Sequence, residues 1–256
     1  MEKGSHKIQV NQMTEIKSQF DPELRKIIKN KQRVAVIPVG SIEQHGPHLP
    51  VSTDSDIVGE IAKKLSEKEN FLLLPIISYG VSFEHAPFFN LSIKGSTLNT
   101  IITDLCTSLL VNNIKTVFVI NGHHGNLKPL QNIDVKLRKL SKNKLQVFSL
   151  SYWHFMQRDF DHAGFVETSL MLAISNNVKM KLAKKGLMTD KMSKQQIKKL
   201  GQLAAKSFPK ITKNGVWGDP TKATKRDGKI ILDEIMRNLR KKCQTCLTGH
   251  SSKLHQ

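Results

Sequence analysis

Unbroken apolar runs alternate along this chain with stretches in which apolar side chains return every three or four positions. The first pattern predicts buried strands and the second amphipathic helices. RVAVIPVG, from Arg33 to Gly40, is a β-branched run closed by glycine and reads as a strand. From about Ser55, SDIVGEIAKKLSEK sets Ile57, Ile61 and Leu65 on one helical face, with Asp54 or Ser55 at the N-cap. FLLLPIISYG, from Phe71 to Gly80, is a second apolar run, kinked or edged by Pro75. TLNTIITDLCTSLLVNN predicts a strong amphipathic helix capped by Ser96 or Thr97. KTVFVINGHHGN then predicts a strand over Thr116 to Asn121 that enters a Gly/His loop, and LQVFSLSYW, Leu145 to Trp153, a fourth.

The segment from Val166 to Asn176 reads as helix. A lysine-rich, largely helical segment follows, then the turn-rich NGVWGDPTKATKRDGK and a last helix, IILDEIMRNLRKKC. Strands that are continuously apolar are buried on both faces, so the pattern predicts an α/β fold with a mostly parallel sheet flanked by helices. With no internal repeat and no Gly/Ser/Pro linker, the expectation is one domain over residues 1–242 and a flexible tail over 243–256.

Composition changes this picture in one respect. The 256 residues carry 40 Lys/Arg against 21 Asp/Glu, a net charge of +19. The span from Asn176 to Gln256 holds 20 Lys/Arg and 5 Asp/Glu, so most of the excess sits there. Such a face can steer anionic ligands or hold nucleic acid, or it is a lysine-rich helical surface kept soluble by its charge. Few aromatics interleave with the lysines, which argues against a stacking platform for nucleic acid. Three cysteines, an odd count, fit a reducing cytoplasm. The start shows no apolar signal region and no stretch reaches membrane-span length, so a cytoplasmic protein is expected. Cys243-x-x-Cys246 with His250 and His255 raises a small zinc knuckle against a frayed terminus with incidental thiols.

The candidate chemistry lies where strands end, which is where open α/β sheets bind ligands. VGSIEQHGPHLPVSTDSD follows the first strand. In extended chain Glu43 and His45 project to one side, with Gln44 turned away, and Gly46-Pro47 then reverses the chain toward Asp54. His123 follows another strand end, and DHAGFVETS brings His162 and Glu167 to a helix start. Mixed imidazole and carboxylate donors suit Zn, Mn or Fe better than calcium. A solvated turn is the alternative reading of each cluster taken alone.

VIPVGSIEQHGPHLPVSTD, VFVINGHHGN, HAGFVETSLML and, more loosely, GVWGDPTKATKRDGK resemble the motifs of the creatininase family of metal-dependent amidohydrolases. They run in order from about residue 34 to 229. The resemblance implies a three-layer α/β/α fold, two divalent ions, Zn with Mn or Fe, and hydrolysis of a C–N bond in an amide, cyclic amide or formamide by a water those ions activate. It also implies a homo-oligomer, a hexamer in similar proteins. Carried onto this sequence, Glu43 and His123 hold one ion, His45 holds the other and Asp54 bridges them. Where creatinine hydrolases place an acid two positions after the strand-end histidine, this chain has Gly125, so Glu167 becomes the candidate fifth ligand and creatinine itself is in doubt. His162 is the candidate general acid for the leaving nitrogen, its ordinary pKa being about 6.5. His124 and Trp153 are candidate substrate-binding residues, and His85 either lines the pocket or packs structurally.

Competing readings are a deformylase of a phosphorylated ribosylaminopyrimidine, a peptide-processing relative, and a non-catalytic polyanion-binding protein on the same fold. The basic third favours a small-molecule substrate that is anionic.

Overall fold

The computed structural model describes residues 15–30, 33–159 and 161–251. Helix α1 (Asp21–Asn30) leads into strand β1 (Val34–Val39), helix α2 (Thr53–Glu69) and the short strand β2 (Leu72–Leu73). Helix α3 (Gly95–Val111) precedes β3 (Thr116–Asn121), and the short α4 (Leu127–Leu130) and α5 (Ile133–Leu140) precede β4 (Gln146–Ser151). Helices α6 (Phe165–Ile174), α7 (Lys194–Ala204) and α8 (Lys225–Ser251) complete the chain.

The four strands form one parallel sheet in the order β2-β1-β3-β4. Alternate side chains of β1 and β3 enter two separate cores, as the two-residue period of a strand requires. Val36, Phe118 and Ile120 pack with apolar residues of α2, α6 and α8. Ala35, Ile37, Val117 and Val119 pack with those of α1, α3 and α5. The result is the three-layer α/β/α arrangement expected from the apolar runs.

The register pairs Val39 with Asn121 and Asn121 with Ser151, so three strands end level at one edge. From β1 the chain leaves toward α2 on one face, and from neighbouring β3 it leaves toward α4 and α5 on the other. Two adjacent strands whose continuations diverge open a crevice between them, the usual ligand position in such sheets.

Several sequence expectations need correction. Helix α2 starts at Thr53 with Ser52 at its N-cap, so Asp54 lies inside the first turn rather than capping it. Lys94, not Ser96 or Thr97, precedes α3. The run from Phe71 to Gly80 contributes only two strand residues. The fourth strand stops at Ser151, and Tyr152–Phe155 form a 3-10 turn. Between Asn176 and α7 the lysine-rich segment is mostly irregular, because its lysines have little apolar surface to bury.

Within the expected tail, the described residues up to Ser251 continue helix α8. Leu232, Ile235, Met236, Leu239 and Cys243 are buried at helical spacing, and Cys246 and Leu247 pack against the same core. Burial pushes the Cys243 thiol up to about 12, which opposes the thiolate that zinc requires. These cysteines serve as apolar side chains, and His255 of the conjectured knuckle lies outside the described residues. Among the described residues no helix is long and apolar enough to cross a membrane.

Candidate functional site

The crevice is furnished first by the segment that leaves β1. A Cβ on Gly40 would stand 2.6 Å from Ser55 Cα, so the chain passes the start of α2 at a distance only glycine tolerates. Residues 42–44 then run extended between two partners. Glu43 N donates to Val51 O at 3.0 Å, Gln44 N to Phe89 O at 2.8 Å, and Leu91 N to Ile42 O at 2.8 Å. Pinned in this way, Glu43 and His45 face inward, and Gln44, expected to turn away, instead reaches His85 and His162 of the same site. Gly46, with φ +62, reverses the chain, and α2 returns Asp54 beneath the same spot.

Asp54 is the hub. Its Oδ1 lies 3.1 Å from His45 Nε2 and its Oδ2 lies 2.9 Å from His123 Nδ1. Ser41 Oγ donates to Asp54 Oδ2 at 2.7 Å. Glu43 Oε2 lies 3.4 Å from His123 Nε2, and Glu167 Oε2 lies 3.6 Å from His45 Nε2. Glu167 is brought inward by the first turn of α6, where Ala163 N donates to its Oε2 at 2.6 Å. Asp161, which the sequence reading passed over, holds that turn by accepting from Val166 N and Glu167 N.

Both inner histidines are oriented by main-chain carbonyls. In its neutral form His45 donates from Nδ1 to Glu43 O at 3.1 Å, which leaves Nε2 as the lone-pair atom. His123 donates from Nε2 to Val81 O at 2.9 Å, which leaves Nδ1 facing Asp54. Fixing one ring nitrogen so that the other presents its lone pair is a recurrent arrangement in metal sites.

These side chains sort into sets whose donor atoms lie within 4.8 Å of one another: Glu43 with Asp54 and His123, and His45 with Asp54 and Glu167. Asp54 belongs to both. A third set joins Glu43, His45 and His162. Glu43 Oε1 and Oε2 and Glu167 Oε1 are buried with no hydrogen-bond partner, an arrangement that costs free energy unless a cation satisfies it. The donors and their orphaned oxygens therefore fit two divalent ions sharing one carboxylate.

Electrostatics in the metal-free protein say the same in protons. Burial pushes Glu43 up to about 8, with His123 opposing. Burial disfavours charge on His45, yet Asp54 and Glu167 outweigh it and raise the imidazole to about 10. His123 is likewise raised to about 10 against its burial, by Glu43 and Asp54. Asp54 is held well below the ordinary carboxylate range despite burial, because both imidazoles face it. Protons thus stand where positive charge is wanted.

Above this cluster lies a cavity of about 310 Å³. Glu43, Asp54, His123, His124, Trp153 and His162 all reach it, while His45 and Glu167 sit beneath. His124 stacks on Trp153 at 6.2 Å between ring centroids. The 3-10 turn that ends β4 early is what carries Trp153 to the wall. His48 and Asp56 stay outside, with His48 Nε2 2.8 Å from Thr168 Oγ1 and Asp56 bound by Ser52.

Gln44 holds a second line of histidines. Gly46 N donates to its Oε1 at 3.0 Å, which turns Nε2 toward His85 Nδ1 and His162 Nε2, each at 3.0 Å. His162 Nε2 also lies 3.0 Å from Gln44 O. Burial first, then His45 and His85, holds His162 well below its ordinary pKa, and burial with His123 and His45 lowers His85 to about 3. Both rings are neutral. His85 therefore joins the site, with Nε2 3.2 Å from Glu43 Oε1.

Sequence reasoning missed Glu84, adjacent to His85, and the wall formed by Ile197, Gly201, Ala204 and Phe208. The Glu-His pair in FEHAP was a usable signal, repeating the acid-imidazole pairing of the first motif. The α7 wall left none, since its residues read as an ordinary amphipathic helix. A larger crevice of about 950 Å³ runs along β4 and α8 but contains none of the ligand-type cluster.

Comparison with known proteins places the chain in a family and shows its fold. A family model described as Creatininase: Creatinine amidohydrolase matches residues 19–243. A mycofactocin precursor peptide peptidase from Mycobacterium ulcerans is 32% identical over 215 residues, covering 78% of this chain and 80% of that protein. A 2-amino-5-formylamino-6-ribosylaminopyrimidin-4(3H)-one 5'-monophosphate deformylase from Methanosphaera stadtmanae is 29% identical over 157 residues, 60% of this chain and 65% of its own. A Zn-Zn form of a mutant creatininase superposes with TM-score 0.75 at 22% identity, covering 89% of this chain and 95% of that one.

Proposed function

This chain belongs to the creatininase family, whose members are metal-dependent hydrolases of C–N bonds, and on that premise we propose that it hydrolyses a small amide, cyclic amide or formamide at a two-metal centre. The observation that carries the reading is the pair of donor sets sharing Asp54. Glu43, Asp54 and His123 would hold one ion, and His45, Asp54 and Glu167 the other. Zinc, with manganese or iron in one position, suits this mixture of imidazole and carboxylate.

Divalent ions held by these residues would supply Lewis acidity toward a carbonyl oxygen and lower the pKa of a bound water toward neutrality. The chain's own groups do the rest. His162 is assigned the proton transfer. His162 Nε2 lies 3.0 Å from both Gln44 O and Gln44 Nε2; in the tautomer whose Nε2–H donates to Gln44 O, Nδ1 is the basic atom and would carry a proton from the attacking water to the leaving nitrogen. Trp153 and His124 form one wall and orient the substrate, and the apolar face of α7 opposite them excludes water.

The basic surface is not continued inward, for no lysine or arginine is among the described residues lining the cavity. A monophosphate like that of the deformylase relative would find no cationic side chain there, which disfavours that reading. The intact ligand set disfavours a non-catalytic polyanion binder. We retain from the family resemblance a homo-oligomer, hexameric, which sedimentation measures.

The test is metal analysis followed by a panel of cyclic amides, formamides and short peptides with added Mn or Zn. Two equivalents of metal per chain and turnover on one class support the proposal. A protein that takes up no divalent metal and hydrolyses nothing overturns it, and a Glu43→Gln variant with both metals and full turnover overturns the ligand assignment.

A further inference from the structure

Strand β4 ends the order β2-β1-β3-β4, and among the described residues no strand pairs with its outer edge. Gln146 N donates to Lys115 O at 2.8 Å. By the two-residue alternation of a parallel ladder, Gln146, Phe148 and Leu150 therefore turn their main-chain groups to β3. Val147 and Ser149 turn theirs outward, where they have no main-chain partner among the described residues. Proteins usually blunt such an edge with charge, proline or a bulge. Here QVFSLS carries no charge and no proline, and it pairs with β3 one to one from Gln146 to Ser151.

That edge lines the crevice of about 950 Å³, apart from the candidate metal cluster. Helices α8 and α5 pack on opposite faces of the sheet and form its two walls. Lys242, Thr245 and Cys246 of α8 stand on one side, and Lys128 of α4 with Asp134 of α5 on the other. Each wall thus carries an exposed lysine, against one acid in all.

A peptide laid along the edge would pair with Val147 and Ser149 and point successive side chains at opposite walls. Two neighbouring carboxylates would then meet one lysine each. A second copy of the chain fits less well, because it carries a net charge of +19 and edge-to-edge pairing would bring the wall lysines of both copies together. We propose that the β4 edge is a docking strand for an extended acidic segment of another protein, separate from the hydrolytic site.

The test is fluorescence anisotropy of the full chain with a labelled acidic peptide, acetyl-VTEDVT-amide, and with its basic counterpart, acetyl-VTKKVT-amide. The acidic peptide binds at least about tenfold more tightly, as two exposed ion pairs together confer. Reversing both walls, Lys128→Glu with Lys242→Glu, inverts that preference. Ser149→Pro removes one outward amide, leaves the β3 ladder intact and abolishes binding. Should that variant not fold, two acidic peptides replace it, each N-methylated on one alternate set of amides: the set that faces the edge abolishes binding and the other does not. Equal binding of the acidic and basic peptides overturns the proposal, as does a preference that survives the double lysine variant. Binding that survives Ser149→Pro, or survives both N-methylated sets, overturns it too and leaves only diffuse attraction to a basic chain. Binding of neither peptide also overturns it, and a shift of Ser149→Pro to smaller species in sedimentation would then give the edge to a second copy.

Discussion

Asp54 Oδ2 lies 2.9 Å from His123 Nδ1, although Asp54 rides on α2 on one face of the sheet and His123 on the loop that leaves β3 for the other. The two meet because β1 and β3 are neighbours with level ends and diverging continuations. The same carboxylate reaches His45 with its second oxygen at 3.1 Å, so one side chain links both halves of the proposed centre.

Asp54→Asn is expected to remove both metals rather than one. An amide cannot offer two anionic oxygens, and affinity should fall at least about a hundredfold, beyond the 10- to 100-fold typical of outer-shell changes. Metal content after dialysis measures it, and retention of one full equivalent would show that Asp54 does not bridge.

The metal-free protein should lose stability as pH rises from about 7 to about 9. Folded Glu43 titrates near 8 and His45 and His123 near 10, each above its ordinary value of 4.5 or 6.5. In that window the folded chain retains protons that the unfolded chain has released, so the slope of stability with pH is negative. The lowered histidines, His162, His85 and His48, act only below their ordinary range. Melting curves across this window with and without Zn should diverge, because metal displaces those protons and its stabilisation grows with pH.

His162→Gln should reduce kcat by roughly 10²–10⁴-fold, the usual worth of general acid–base catalysis, with metal content unchanged. Unaltered kcat on whichever amide the panel identifies would move the proton-transfer role elsewhere.

Two substitutions probe the layer that carries Asp54 and Glu167. Ile61→Ala empties a fully buried position of α2 and should cost about 2–5 kcal/mol. Gly228→Ala puts a methyl group where it would overlap Ser169 O and stand 2.9 Å from Ala173 Cβ, forcing α6 and α8 apart at about 1–3 kcal/mol. Denaturant unfolding measures both, and an unchanged midpoint for Gly228→Ala would mean the helices separate freely.

Cys243→Ser should destabilise the chain by about 1–3 kcal/mol, because a hydroxyl replaces a buried thiol without a partner. Zinc content should not change. Loss of one zinc per chain would restore the knuckle that the packing of α8 argues against.

The parallel sheet and its two helical layers were legible in the sequence because the runs Val34–Val39 and Thr116–Asn121 are apolar without a break, which only a strand covered on both faces needs. Glu43, His45, Asp54, His123 and Glu167 were legible as candidates because acids and imidazoles crowd beside glycine at strand ends. What the chain order could not supply was distance between segments far apart in sequence. Which strand lies beside which determines that Asp54 faces both imidazoles, that Gln44 ties His85 to His162, and that α7 closes the cavity. Cys243 shows the same limit in reverse: read along the chain it was a thiol in a loose tail, and only the packing of α8 against α2 and α6 makes it a core side chain. Local pattern determines what each segment buries, while the contacts between segments, set by strand order and register, determine which polar groups are left to share one site.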